Sequence, residues 1–466
     1  MLYCDLCLMS KTSSILGDKR LERPHGKLVD AMIQKQSIIL RSLGNNRTEE
    51  VVFGRFLSNP KITPSNLVKQ FWSTHARNWE AKHLLIVEDT TTASFGLFLN
   101  RGSLGYVGKG ADQSGFHLHT ALALNADTLS CYGLAAVKAY QTIRQEQEAQ
   151  AIRRKNMWKI PFEDKERYKW YSVADEAIKN CSGAMQYTIV GDRESDIYDV
   201  MAGFADKKWD FVIRSSYSRR LDSDEHTLYP SIANWAVQHT YPVKLPATPK
   251  RSAHQASLEL KFGAVTLLKP QANPDKKLPD NLPIYVLEVK EQAHTVVGNE
   301  KPIHWVILTS HTIQSVEQAL QVLRWYQERW VIEQTFRTLK SEGLDIENSE
   351  VETYESLANL ATMALLAAAQ IMQLVNARNG QTKQAIEESF TPIEIKCLQQ
   401  LNPTLEGQTE KQKNPHPPNS MAYAAWIIAR LGGWSGYLTQ RPPGPITMLN
   451  GLVRFYNILQ GAALKQ

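Results

Sequence analysis

The 466-residue chain has little cysteine, no long charge block and hardly any uninterrupted apolar stretch. Its five cysteines, at 4, 7, 131, 181 and 397, are too few and too odd in number for a disulfide framework, and a reducing compartment is the default. Cys4 and Cys7 form a C-x-x-C, but no second pair or histidine pair stands at zinc-ligand spacing nearby. No charged segment followed by an apolar core opens the chain, so no signal peptide is expected. One stretch, Ser356 to Val375, is long enough to cross a membrane. It carries Asn359, Gln370 and Gln373 and much alanine, which suits a buried helix better. The net charge of +6 comes from 53 basic and 47 acidic residues, so the sum alone neither identifies nor excludes a nucleic-acid partner. Hydrophobic residues at 43% and charged residues at 21% describe a globular chain rather than a disordered or fibrous one.

Residues 1 to about 75 carry helical spacing, as in Leu28, Val29, Met32 and Ile33. Short apolar runs then predict buried strands at Leu84–Val87, Tyr187–Val190, Phe211–Ile213 and Trp305–Leu308. Between the third and fourth runs the texture alternates, at Ser257–Phe262, Val265–Leu268 and Ile284–Lys290. That predicts a small antiparallel β unit inserted into the larger domain. A long amphipathic helix is predicted from Ser315 to Lys340. The rest reads as helical, apart from a break over Asn402 to Asn419. No internal repeat is present.

Two of the strand runs lead into an acid, Asp89 and Asp192. Alone this is weak, because such acids are often turn or cap residues. The long helix adds to it. At about 100° per residue, Tyr326, Arg329, Glu333, Arg337 and Lys340 share an arc of about 80°. An apolar seam of Val316, Leu320, Leu323 and Trp330 runs into that arc, which predicts an inward-facing charged patch. A carboxylate there needs a cation or a metal. One reading is a structural ion-pair network with Glu333 neutralised by Arg329, Arg337 and Lys340. The other is a hard all-oxygen site of Asp89, Asp192 and Glu333 for Mg2+ or Mn2+, two ions of which can clamp a phosphodiester displacement. Glu88 should turn away from Asp89 by strand alternation. Asp196 could support Asp192 from behind, and His117 and His119 read as core histidines.

Tyr326-x2-Arg329-x3-Glu333-x6-Lys340 matches the tyrosine-arginine-glutamate-lysine signature of the insertion-sequence-four family of DDE transposases, and the chain resembles that family over nearly its whole length. Leu85–Thr91 (LIVEDTT) and Val190–Asp196 (VGDRESD) resemble its two aspartate blocks, and Trp305–Ser310 (WVILTS) precedes the signature helix. Leu16–Leu21 and Arg55–Pro60 resemble the N-terminal region; Ala429–Trp434 and Arg441–Pro445 resemble the C-terminal one. The resemblance implies an α/β fold: a ribonuclease-H-like catalytic core with an inserted antiparallel β subdomain, plus helical N-terminal and C-terminal domains. The implied bounds are a DNA-binding domain over 1–75 and a catalytic domain over 76–345 with its insertion at about 220–300. A dimerisation domain follows over 346–466.

It further implies cut-and-paste transposition. Asp89, Asp192 and Glu333 would be catalytic and would hold two Mg2+ (or Mn2+) ions. Tyr326, Arg329, Lys340, Arg214 and Trp305 would contact DNA, with Trp305 stabilising an unstacked base during hairpin formation. The partners would be inverted-repeat ends, target DNA and a second copy of the chain, in a prokaryotic cytoplasm. Seven cations within residues 151–170, interleaved with Trp158 and Trp170, are a candidate DNA-backbone surface. Lys19, Arg20, Arg23, Lys27 and Arg41, and Lys244, Lys250, Arg251 and Lys261, are further candidates. A structure-specific nuclease on the same fold, or a shortened or domesticated DNA-binding derivative, stays open.

Overall fold

The computed structural model describes residues 15–74, 79–96, 104–107, 113–142, 160–248, 251–341, 343–437 and 441–463. Cys4, Cys7, Lys250 and the cations at 153–159 lie outside them.

The first segment is helical: α1 (Lys19–Lys35), α2 (Leu40–Leu43), α3 (Arg47–Leu57) and α4 (Pro64–Thr74). Asp18 caps α1 by accepting from the Arg20 backbone N–H at 2.9 Å. The predicted periodic set Leu28, Val29, Met32 and Ile33 is buried.

The sheet strands follow. They are β1 (His83–Ser94), β2 (Gly105–Tyr106), β3 (Ser114–Asn125) and β4 (Cys131–Tyr140), then β5 (Gln186–Gly191), β6 (Asp210–Arg214), β7 (His239–Leu245), β8 (His254–Leu268), β9 (Asn281–Glu291) and β10 (His304–Thr309). Among the described residues three helices lie between them: α5 (Lys169–Asn180), α6 (Tyr198–Asp206) and α7 (Leu228–Ala233). Among the described residues all ten strands form one sheet, ordered β3–β1–β5–β6–β10–β9–β8–β7, with β2 and β4 both paired to β3. β1, β5 and β6 run parallel to one another; the other pairings are antiparallel.

All four apolar runs lie within strands, but two expectations need correction. Asp89 does not end its strand. β1 continues to Ser94 because β3 pairs with it throughout, and only its pairing with β5 stops at Val87. The alternating stretch between β6 and β10 does form antiparallel strands, yet β9 pairs with β10 and extends the same sheet. Ser257–Phe262 and Val265–Leu268 belong to one long strand, β8.

The helices after β10 are α8 (Val316–Gln327), α9 (Arg329–Lys340), α10 (Tyr354–Ala377), α11 (Pro392–Leu405), α12 (Met421–Leu431) and α13 (Pro445–Ala463). The single helix predicted over 315–340 is therefore two. Glu328 breaks it: its N–H bonds Trp325 O at 3.2 Å and its carbonyl takes the Val331 N–H at 2.9 Å, both three-residue spacings. The change of phase turns Trp330 outward. It is 56% exposed, with the Arg337 guanidinium 5.7 Å from its ring, so neither residue belongs to the inward arc. Val331, Ile332, Thr335, Phe336 and Leu339 fill the inward side instead.

The long apolar helix α10 is buried in the protein. Two of its polar side chains donate to neighbouring backbone: Asn359 Nδ2 to Leu57 O (2.9 Å) and Ile62 O (3.0 Å), and Gln373 Nε2 to Tyr132 O (2.8 Å). Its alanines let α1, α4, α9, α12 and β4 pack around it.

Candidate active site

The parallel pairing of β1 and β5 sets the first part of the site. Val87 stands beside Val190, and the chain stays extended through Asp192 at φ −87°, ψ −163°. Two residues further along each chain, Asp89 and Asp192 are therefore in step, with equal parity. Asp192 also caps a short 3-10 turn, accepting from the Glu194 N–H at 2.8 Å. Gly191 makes this turn possible. A Cβ there would lie 2.2 Å from Ser195 Oγ.

Helix α9 packs on β1 and supplies the third acid. Arg329, at its first residue, joins the elements. Its Nη1 donates to Asp89 Oδ2 at 3.0 Å, and its Nη2 donates to Glu333 Oε1 one turn along. All three side chains are largely buried, at 20%, 19% and 32% exposure for Arg329, Asp89 and Glu333. Burial pushes the Asp89 carboxyl up to about 6. The Thr90 N–H, 2.7 Å from its Oδ1, and Arg329 pull it down, while the charges of Asp192 and Glu333 push it up. Burial works against the charge of Arg329, but Glu333, Tyr326, Asp89 and Asp192 outweigh it. The site therefore carries more negative charge than one guanidinium balances.

A second group adjoins it. Tyr326, on α8, is buried, with its ring edge-on to Trp305 at 5.5 Å. The Arg214 guanidinium lies 5.9 Å from the Trp305 ring and donates to His304 O at 3.1 Å. Lys340 stands apart from the three acids, at the far end of α9. Its Nζ is 3.6 Å from Glu347 Oε1, which also accepts the Ser94 N–H at 3.0 Å. Glu347 ties the signature helix to the end of β1. No spacing rule could have singled it out, since the contact spans 253 residues.

The residues set aside from the site have other tasks. Glu88 is fully buried on the opposite face of β1, and burial holds its carboxyl well above the usual range. His119 is buried on that same face, bonded to Thr90 Oγ1 at 2.8 Å and edge-on to Trp170 at 4.4 Å. Asp196 does not support Asp192. It is paired with Arg219, whose Nε donates to it at 2.6 Å.

Among the described residues, no group of three or more His, Cys, Asp or Glu could hold a metal ion as arranged. Arg329 fills the space between Asp89 and Glu333. By donor chemistry the three carboxylates suit a hard divalent cation and would not select zinc.

Residues 173–369 match the family model of the transposase DDE domain. That span contains Asp192, Arg214, Trp305, Tyr326, Arg329, Glu333 and Lys340, while Asp89 precedes it. The match, which covers less than half of the chain, supports a transposase. Among solved structures, the chain is similar to one titled "Cryo-EM structure of piggyBac transposase synaptic complex with hairpin DNA (SNHP)". Identity is 10%, over 81% of this chain and 71% of that chain, with a TM-score of 0.37.

Proposed function

We propose that the protein is a cut-and-paste DNA transposase of the insertion-sequence-four kind. It binds inverted-repeat ends, nicks and excises the element, and joins the 3′ ends to target DNA. The observation that carries this reading is the junction of β1, β5 and α9, where Arg329 bridges Asp89 and Glu333 while Asp192 lies in step with Asp89. The ribonuclease-H-like reading is supported by three antiparallel strands, β1, β3 and β4, continued by parallel β5 and β6 with helices packed against them.

Asp89, Asp192 and Glu333 are the residues that would hold the two divalent ions. Bound there, Mg2+ or Mn2+ would activate water and neutralise charge developing on the scissile phosphate. Arg329 can exchange its carboxylate partners for a DNA phosphate, since its planar fork suits both. Tyr326 backs Trp305 from the core side. That support would let Trp305 meet an unstacked base, and Arg214 beside it would take the adjoining phosphate. Lys340 would hold a phosphate further along the end. Each element has two ends to be cut together, which favours a two-fold homodimer.

The test is cleavage of an inverted-repeat end in Mg2+ by the Asp192→Ala variant. Cleavage should be lost while end binding stays within about threefold of wild type, because Asp192 contributes charge to the ions and little to phosphate binding. Cleavage at the wild-type rate would refute the assignment of Asp192.

A further inference from the structure

The turn that follows β6 is held more firmly than a surface loop requires. Asp196 anchors it from below. Its Oδ2 accepts the Ser216 N–H (2.8 Å) and Oγ–H (3.2 Å), its Oδ1 accepts Arg219 Nε (2.6 Å), and its carbonyl accepts Arg219 Nη2 (2.6 Å). The Arg219 and Asp196 side chains are 3% and 0% exposed. A buried ion pair contributes little net stability, because desolvation offsets the attraction. What it does here is geometric: it gives residues 215–219 one shape.

That shape presents an aromatic ring to solvent. Tyr217 is 50% exposed, and its ring rests on the Arg219 guanidinium at 4.6 Å. Ser215 Oγ donates to Tyr217 O at 3.1 Å and lies 3.3 Å from the hydroxyl of Tyr229, itself 38% exposed. Both tyrosines are thus anchored on the residue next to Arg214, whose guanidinium covers Trp305. A ring already immobilised loses little entropy when a planar ligand stacks on it.

We propose that Tyr217, flanked by Tyr229, is a stacking site for an unpaired nucleotide of the DNA substrate, separate from Trp305. The inference rests on the DNA-processing role proposed above. A base fits this surface better than a run of phosphates does. The surface is mixed in charge: Arg167 and the exposed Arg220 stand near the ring, but Asp222, Asp224 and Glu225 follow in the same loop, all exposed, and oppose a backbone continuing along it. A neutral base meets no such penalty, and Arg214 stands ready for one adjoining phosphate.

Stacking of this kind is sequence-tolerant and contributes roughly tenfold or more per base, so the test needs no knowledge of the natural ends. The full-length protein is titrated with a single-stranded oligonucleotide of about 12 nucleotides carrying 2-aminopurine, and with the matching duplex. Tyr217→Leu keeps apolar bulk over Arg219 but removes the π-face; Tyr217→Phe keeps the ring. Tyr217→Leu should lose at least about tenfold in single-strand affinity, together with the 2-aminopurine fluorescence change. Its duplex affinity should move by less than about threefold, and Tyr217→Phe should behave as wild type. Unchanged single-strand binding by Tyr217→Leu, equal losses on both DNAs, or a loss in Tyr217→Phe as large as in Tyr217→Leu would each overturn the proposal. Binding of neither DNA by the wild-type protein would instead remove the DNA reading on which it stands.

Discussion

Arg329 reaches Asp89 across 240 residues of sequence, 3.0 Å from its Oδ2, while the other arm of the same guanidinium holds Glu333. One cation thus joins the middle of β1 to the first turn of α9. Removing it should expose the charge imbalance of the site. In Arg329→Ala the Asp89 carboxyl should rise above about 6. An acid whose folded pKa exceeds its unfolded value stabilises the fold at low pH and loses that contribution as pH rises through the folded value. The variant should therefore melt several degrees below wild type at pH 8, with a smaller gap at pH 5. Added Mn2+ should narrow the gap at pH 8. Parallel melting curves at both pH values would count against this account of the site.

Trp305 meets both the buried Tyr326 ring and the Arg214 guanidinium. If the proposed excision runs through a hairpin, Trp305→Ala should slow that step by about tenfold to a hundredfold, in line with one lost base stack, and spare the first nick. Resolving nicked and hairpin products over time on a denaturing gel checks this. Equal slowing of both steps would mean that the residue is structural.

Asp192 and Asp196 are four residues apart and should behave oppositely. Asp196→Ala leaves the buried Arg219 without its partner, which typically costs about 3–5 kcal/mol and should show as a large fall in melting temperature. Asp192→Ala should leave the melting temperature within a few degrees of wild type. Chemical denaturation of both variants separates the cases; similar stabilities would contradict the division of labour.

Glu328 sits at the break between α8 and α9, and burial pushes its carboxyl up to about 7, with Arg324 opposing. Its folded pKa is raised, so the protein should lose stability from this group as pH climbs from about 4.5 to about 7. Glu328→Gln removes the titration while keeping the shape. It should be about 1–2 kcal/mol more stable than wild type at pH 8 and unchanged at pH 4. Thermal melts at the two pH values decide it.

The motif of the candidate site was legible because its residues are local: Tyr326, Arg329, Glu333 and Lys340 lie within 15 positions. Even there, helical periodicity misplaced Trp330 and Arg337. A uniform 100° step cannot anticipate a break at Glu328, where no proline or glycine announces it. β4 was not recognised as a strand. Cys131–Tyr140 is buried over most of its length and shows neither alternation nor a run of β-branched residues.

By itself, the sequence determined that its four apolar runs would lie in buried strands, that Glu88 and Asp89 would face opposite sides, and that Ser356–Val375 would pack inside the protein. These follow from side-chain period and composition, which act over a few residues. The tertiary structure alone decided that β9 joins β10 in one sheet, that Arg329 spans two acids and that Asp196 belongs to Arg219. It also set Glu347 between Lys340 and Ser94. Each of those is a contact between distant parts of the chain, chosen by how elements pack once formed and by the need to pair a buried charge.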